Sequence, residues 1–264
     1  MKKRGQLTLF VIIAIIVVTS IISYFIFSNQ SPKDLNTNFL NGKNLNTNLN
    51  TVRTNIFDCI DITTEEAILI VSLQGGYYEK PEKYNEQQFG FFPYYYYEGE
   101  YYMPTQEKIE KTISNYIDTN LLECINVKNF PLEIKLSPIK TTTKIQDKEV
   151  IFQLDTTLTI SQNETINLIE LKEKEFTQIS KIKGMIEIAQ YLTEYHKKDP
   201  KYYCMNCVGL MAYERELDIN IFPFTENNTL QVIISDNQKS SLFPHMFIYL
   251  NKYTGEEKSP RFDD

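Results

Sequence analysis

The spacing of hydrophobic residues changes along the chain, and the first pattern is an unbroken apolar run. Residues 7–27 are 21 residues without a charged side chain or a proline. At a rise of about 1.5 Å per residue, a helix of this length spans about 30 Å, the thickness of the hydrocarbon core of a bilayer. The run therefore predicts a transmembrane helix in contact with membrane lipid.

The charges beside the run predict its orientation. Lys2, Lys3 and Arg4 precede it, and no other basic residue lies within the first 27. Because basic residues stay on the cytoplasmic side, we predict a cytoplasmic stub and membrane anchor at 1–28, with the rest of the chain extracellular. The alternative is a cleaved secretory signal, whose apolar core is shorter, about 7–15 residues.

A polar, asparagine-rich segment follows at residues 29–51. The tetrapeptide Leu-Asn-Thr-Asn occurs at 35–38 and again at 45–48. Such a sequence buries too little apolar area to offset its chain entropy. We predict a flexible linker here.

Two stretches then place apolar residues at the three-to-four spacing of an amphipathic helix. The first covers 52–71 and ends at the helix stop of residues 74–76, Gln-Gly-Gly. Thr63 inside it matches a helix N-cap, so two helices and one kinked helix are both open. The second helix starts at Thr105, and its apolar stripe consists of Ile109, Ile113, Tyr116, Ile117, Leu121, Cys124 and Ile125.

The rest of the chain favours β-strands with two shorter helical segments. Candidate strands lie at 132–136, 139–145, 150–160, 166–176, 217–224, 230–235 and 246–253. A helix is predicted over 183–196, and a short helix or turn over 204–215.

This order of elements predicts an α+β fold, in which an N-terminal transmembrane helix precedes an ectodomain with two amphipathic helices and a mainly antiparallel sheet. The domain is placed at 52–257, with a tail at 258–264. The sequence is compatible with one domain and also with two, a helical half at 52–130 and a β-rich half at 131–257.

Tyrosines are concentrated between residues 77 and 104, which hold nine of the 18 in the chain. Two aromatic runs flank Glu98-Gly99-Glu100, a pattern typical of a hairpin. Because tyrosine combines a large ring with a polar tip, the hairpin is a candidate surface for a protein or glycan partner. Its candidate binding residues are Tyr94, Tyr95, Tyr96, Tyr97, Tyr101 and Tyr102. The alternative is that alternate tyrosines pack onto the domain.

The charge of the exported part excludes one class of partner. Without the three basic residues at the N-terminus, 24 basic residues stand against 34 acidic ones, a net charge of −10. Sequence-independent nucleic-acid binding depends on neutralised phosphates, so no nucleic-acid partner is expected.

Four cysteines lie in the exported part, and an even number in an oxidising compartment favours disulfides. Cys59 and Cys124 each follow the apolar stripe of a predicted helix, so they are candidates to pair with each other. Such a bond would close a loop of about 65 residues and contribute about 4 kcal/mol in the chain-entropy model. Two separate buried thiols are the alternative.

Cys204 and Cys207 form the one motif with candidate chemistry, a CxxC. A structural disulfide is the favoured interpretation. Redox catalysis is the second, because a CxxC at a helix N-terminus can hold a reactive thiolate, and Pro244 would then face the pair in cis. Zinc binding would need His196 and His245 as further ligands. A histidine at a helix end is expected as a solvated cap, and neither a metal nor a cofactor is predicted.

One further triplet resembles a catalytic motif. Ser235-Asp236-Asn237 occurs in penicillin-recognising enzymes together with S-x-x-K, which residues 180–183 match loosely. An Asp-Asn pair between two apolar runs is a normal turn, and we interpret it so.

Residues 2–10, Lys-Lys-Arg-Gly-Gln-Leu-Thr-Leu-Phe, resemble the start of archaeal type IV pilin-like proteins with class III signals. In those proteins basic residues and a glycine precede a glutamine, a Ser or Thr two residues on, and an apolar helix. The resemblance implies cleavage between Gly5 and Gln6. Phe10 stands at the fifth mature position, where pilins usually carry a glutamate that serves subunit assembly.

Other segments are similar to a group of uncharacterised membrane-anchored exported proteins of small-genome archaea. They are Cys59-Ile60, Glu65-Glu66-Ala67, residues 73–77 and the helix from Ile109 to Cys124. This similarity implies the same topology and assigns no activity.

The sequence thus predicts a single-pass protein with its N-terminus in the cytoplasm and a disulfide-containing domain outside the cell. A surface binding or structural function, pilin-like, is favoured over an enzyme. The first alternative is a membrane-tethered thiol–disulfide oxidoreductase that uses Cys204 and Cys207. The second is an extracellular hydrolase.

Overall fold

A computed structural model describes residues 45–127, 133–162, 165–172, 174–198, 202–224, 228–236, 245–254 and 261–262. The chain divides into two units, Met1–Asn50 and Thr51–Asp264. The second unit is an α+β domain with mainly antiparallel sheets, so this part of the predicted fold class is confirmed.

The first helix, α1, is continuous over Leu45–Leu73. It begins seven residues earlier than the predicted helix, so the linker prediction is wrong for 45–51. No glycine or proline interrupts the sequence between these bounds, so the helix can include the asparagine-containing residues 45–51. Thr63 is buried in mid-helix, and Thr64 Oγ1 donates to the Asp61 carbonyl at 2.9 Å. The predicted cap at Thr63 is therefore wrong.

Helix α1 ends in a Schellman motif at the predicted stop. The Gly75 N–H donates to the Ser72 carbonyl at 2.9 Å, and the Gly76 N–H donates to the Val71 carbonyl at 2.8 Å. Both glycines have positive φ, +54° and +85°. A Cβ at Gly76 would lie 2.7 Å from the Ile109 side chain, so only glycine lets the chain pass so close to the second helix.

The second helix, α2, covers Gln106–Val127 and carries the predicted apolar stripe. Its buried hydrophobic residues are Ile109, Ile113, Tyr116, Ile117, Leu121 and Ile125. A disulfide joins Cys59 of α1 to Cys124 of α2 with a Cα–Cα distance of 5.7 Å. The two helices that the periodicity predicts are thus covalently joined near the end of α2.

The largest sheet has six strands and contains residues from both of the halves that the sequence leaves open. Its path is β1-β2-β13-β12-β11, and the short β3 pairs with β2. The β2–β13 pair is parallel, and the other pairs in this sheet are antiparallel. The strands are β1 (Tyr84–Gln87), β2 (Gly90–Tyr97), β3 (Glu100–Tyr101), β11 (Leu217–Pro223), β12 (Thr229–Asp236) and β13 (Met246–Lys252).

Two three-stranded antiparallel sheets follow α2 in the chain. One has the order β4-β7-β8 and the other β5-β6-β9. The strands are β4 (Glu133–Leu136), β5 (Lys140–Ile145), β6 (Glu149–Asp155), β7 (Thr157–Gln162), β8 (Thr165–Glu170) and β9 (Glu175–Ile179).

Both long strands predicted in this region are divided in the structure. The strand predicted at 150–160 is β6 and β7, which belong to different sheets, and the one at 166–176 is β8 and β9. The break falls at Thr156, which is buried and whose hydroxyl donates to the Ser137 carbonyl at 3.1 Å. Apolar alternation continues through the break, because Leu154 and Leu158 are both buried. The pattern therefore predicts the buried faces correctly but not the change of sheet.

Two further helices and a small sheet complete the described domain. Helix α3 covers Ile182–Lys198 and helix α4 covers Met205–Glu214, close to the predicted bounds. Strand β10 (Tyr202–Tyr203) pairs in parallel with β14 (Arg261–Phe262). The segment predicted as a tail at 258–264 thus contributes a strand.

No helix within the described residues is long and apolar enough to cross a membrane. Residues 7–27, for which the sequence predicts the span, lie outside that part of the chain.

Candidate functional site

The CxxC lies at the start of helix α4. Cys204 follows β10 and is the N-cap residue, and its Sγ accepts a hydrogen bond from the Cys207 N–H at 3.3 Å. The two cysteines form a disulfide with a Cα–Cα distance of 5.2 Å, and both are half-buried. All four cysteines of the chain are therefore in disulfides, and the predicted disulfide content is confirmed.

A helix N-terminus is a chemically significant place for this pair. Positive partial charge from the backbone N–H groups stabilises an anion there, so reduction of the bond would leave a thiolate in a favourable position. In a thioredoxin-type site, a core strand leads into the motif and a cis-proline faces it. The strand that leads into the motif is the two-residue β10, not a core strand. Pro244, the candidate opposing proline, lies outside the described residues.

The outer face of α4 exposes apolar side chains beside the disulfide. Leu210 and Tyr213 are 59% and 82% exposed, while Val208 and Ala212 on the opposite face are buried. Three-residue spacing from Cys207 to Leu210 to Tyr213 places all three along one side of the helix. Neither Leu210 nor Tyr213 is among the site residues predicted from sequence, although this spacing within a predicted helix would have revealed them.

The tyrosine-rich hairpin is formed as predicted, by β2 and β3. Its central tyrosines, Tyr94, Tyr95 and Tyr96, are all buried, so both faces of β2 are covered at this point. The Tyr95 ring stacks on Tyr249 with centroids 4.1 Å apart, and its hydroxyl donates to the Gly75 carbonyl at 2.8 Å. The binding-surface prediction is therefore wrong for these three residues, because they form part of the core.

The other three candidate tyrosines are half-buried. Ammonium groups of Lys83 and Lys252 lie 5.2 and 4.9 Å from the centroid of the Tyr97 ring. The Tyr101 hydroxyl is 3.1 Å from His196 Nδ1, and the Tyr102 hydroxyl hydrogen-bonds to Glu100. Each ring is thus held by a neighbour on the domain.

His196 is buried at the end of α3, so the expected solvated cap is wrong. Its ring packs against Tyr96 and Tyr253, with centroids 4.6 and 5.4 Å away. The zinc hypothesis would need it to meet the CxxC and His245. Among the described residues, no group of three or more His, Cys, Asp or Glu side chains is arranged to hold a metal ion.

The residues that resemble a penicillin-recognising site serve a structural purpose. The Ser180 Oγ accepts a hydrogen bond from the Ile182 N–H at 3.2 Å, at the start of α3. Lys181 Nζ lies 3.2 Å from Asp236 Oδ1 and 3.1 Å from Glu216 Oε2. Although burial lowers the pKa of Lys181, hydrogen bonds to Glu216 and Asp236 raise it above the usual value, so the ion pairs stay charged. Asp236 is thus the paired last residue of β12, and Asn237, the other residue of the predicted turn, lies outside the described residues.

Comparison of the chain with family models, with curated proteins and with solved structures finds no match in any of the three.

Proposed function

We propose that the chain is a single-pass membrane protein that presents its α+β domain outside the cell as a surface binding module. The observation that supports this location is that all four cysteines are in disulfides. Disulfides persist in oxidising compartments and are rare in the cytosol. The domain follows the apolar run at 7–27 and its preceding basic residues, the pattern of an anchor with a cytoplasmic N-terminus.

The N-terminal motif supports a pilin-like route to this location. The basic residues, Gly5 and Gln6 stand in the order of a class III signal before the apolar run. Processing after Gly5 would leave the anchor attached to the domain. Phe10 replaces the glutamate that pilins use for assembly, which favours a separate surface protein over a filament subunit.

Labelling of introduced cysteines tests this topology. The native cysteines are all paired, so an introduced one is the free thiol available to the reagent. We expect a membrane-impermeant maleimide to label Asn36→Cys in intact cells and Lys2→Cys only after permeabilisation. A mature chain that begins at Gln6 would carry no label at position 2 under either condition, and mass spectrometry would identify it. Labelling of Lys2→Cys but not Asn36→Cys in intact cells would contradict the proposal.

A second function is favoured by the geometry of the CxxC. The Cys204–Cys207 disulfide is half-exposed at the N-terminus of α4, beside the exposed Leu210 and Tyr213. In thiol–disulfide exchange, a substrate thiolate would attack one sulfur of this bond and form a mixed disulfide. A second substrate thiolate would then attack the substrate sulfur of this mixed disulfide and release Cys204 and Cys207 in their reduced form. The substrate dithiol is oxidised, and its two electrons and two protons pass to Cys204 and Cys207.

A redox titration of the chain tests this second function, and Cys59–Cys124 is its internal control because Cys59 is buried. In glutathione buffers we expect Cys204–Cys207 to be reduced first, at a potential above about −300 mV, the limit typical of structural disulfides. One of the freed thiols should have a pKa below about 7.5, as cysteines at other helix N-termini do. Reduction of both pairs together, below that potential, would show that the CxxC is only a structural bond.

A further inference from the structure

We propose that a cleft between residues 77–81 and the outer face of helix α2 binds an acidic sugar residue of a surface glycan. This inference rests on the proposed function as a binding module and identifies a ligand class for it. The cleft has a volume of about 470 Å³. Small-ligand pockets typically have about 300–1,000 Å³, so one or two sugar rings fit.

The position of the cleft is set by the end of α1. The Schellman turn at Gly75 and Gly76 directs the chain across α2, and Gly76 lies against Ile109 without room for a side chain. Residues 77–81 therefore form one wall. The other wall is one face of α2, where Lys108, Lys111 and Asn115 follow each other at helical spacing and are exposed.

The charge of the cleft differs from that of the domain as a whole. Three lysines and one glutamate line it, whereas the exported part carries −10. Lys80 is neutralised by Glu86, with Nζ 2.8 Å from Oε2. Lys108 Nζ lies 5.1 Å from the centroid of the Tyr77 ring, and the described residues provide no ion-pair partner for Lys108 or Lys111. These two ammonium groups are available to a carboxylate.

A second charged cleft shows the contrast. About 680 Å³ in volume, it opens at the start of α3, and three of the four cations that line it, Lys181, Lys183 and Arg215, are already paired. Lys183 Nζ is 2.5 Å from Asp147 Oδ1, and Arg215 donates to Glu187 through Nε and Nη2 at 3.1 and 2.9 Å. A ligand there would have to displace most of these ion pairs, whereas one between 77–81 and α2 would meet Lys108 and Lys111, which form no ion pair with the described residues.

The aromatic wall favours a sugar over a simple anion. The half-buried ring of Tyr78 lines the cleft and is held by an edge-on contact with Tyr116, with centroids 4.9 Å apart. The C–H face of a pyranose packs against such a ring. Tyr77 stays neutral, because burial raises its pKa to about 12, and its hydroxyl donates to the Tyr102 carbonyl at 2.6 Å. Side chains of Glu79 and Asn115 remain to hydrogen-bond the sugar hydroxyls.

Saturation-transfer difference NMR on the full chain in lipid nanodiscs tests the proposal, because it detects weak ligands on large particles. Glucuronate is the probe, glucose and N-acetylglutamate are comparison ligands observed directly, and inorganic sulfate, which has no protons, is compared through its displacement of glucuronate. We expect glucuronate to bind with a dissociation constant of about 1 mM and the three others to bind at least about tenfold more weakly. Lys111→Gln should weaken glucuronate binding about tenfold, the effect of losing one charge-assisted hydrogen bond. Lys172→Gln, at an exposed lysine that does not line the cleft, is the matched control and should leave binding unchanged.

Three results would overturn the inference. Equal binding of glucose would remove the role of the lysines, and equal binding of sulfate or N-acetylglutamate would remove the role of the ring. Equal weakening by Lys172→Gln and Lys111→Gln would show that binding follows net charge and not the cleft. If glucuronate does not bind but the labelling pattern is as expected, the glycan inference is refuted and the proposed surface module is not. The reverse labelling pattern with glucuronate bound would refute the proposed function alone.

Discussion

Removal of the Cys59–Cys124 disulfide lowers the free energy of unfolding by about 4 kcal/mol, the largest single covalent effect expected in this domain. The bond joins α1 to α2 across a sequence separation of 65 residues. Without it the unfolded chain regains the entropy of an open loop of that length. Cys59 is fully buried, so the Cys59→Ala/Cys124→Ala variant also loses a small part of its packing.

The matched control is the Cys204→Ala/Cys207→Ala variant. Its bond spans a sequence separation of only 3 residues, so the same model gives about 2 kcal/mol. Guanidinium unfolding of both variants, followed by tyrosine fluorescence in a chain without tryptophan, measures the difference. Equal losses in the two variants would show that loop closure is not what the first bond contributes.

Tyr95→Ala is expected to cost about 3–5 kcal/mol, as for other large aromatic residues in a core. Tyr95 is fully buried, stacks on Tyr249 and lies 6.4 Å from the Phe247 ring, centroid to centroid. Its hydroxyl accounts for a separate part of this energy, because it bonds to the Gly75 carbonyl in the turn that ends α1. Tyr95→Phe keeps the ring and should cost about 1–3 kcal/mol, the penalty of an unsatisfied buried acceptor.

Tyr213→Ala is the control for this series, since its side chain is 82% exposed and it should change stability by less than about 0.5 kcal/mol. The same unfolding experiment compares all three variants. A loss for Tyr95→Ala no larger than for Tyr213→Ala would mean that the hairpin is a surface feature after all.

The tyrosine-rich hairpin shows how far local pattern predicts this molecule. The turn at Glu98-Gly99 and the strands around it follow from neighbouring residues, and the structure forms that hairpin. Whether its tyrosines meet a partner or the core depends on what covers them. Strand β13, some 150 residues further on, pairs with β2 and brings Tyr249 onto Tyr95. No local pattern contains that pairing.

The candidate sites divide in the same way. The CxxC and its place at a helix start are evident from sequence, and its exposed neighbours Leu210 and Tyr213 follow from helical spacing. The cleft beside α2 is not evident from the sequence. Its two walls come from a loop and a helix about 30 residues apart, and they meet only through the turn at Gly76.

The sequence by itself determined the periods of the helices and strands, the turn at Gly75 and Gly76 that stops α1, and the even number of cysteines. The periods and the helix stop are set by contacts between near neighbours and by backbone conformation, which short segments encode, and the cysteine number is composition. Only the tertiary structure decided the division of the strand at Thr156, the parallel pairing of β2 with β13 and the burial of Tyr95 and His196. The physical reason is that strand pairing and the burial of amphipathic rings depend on packing partners distant in sequence.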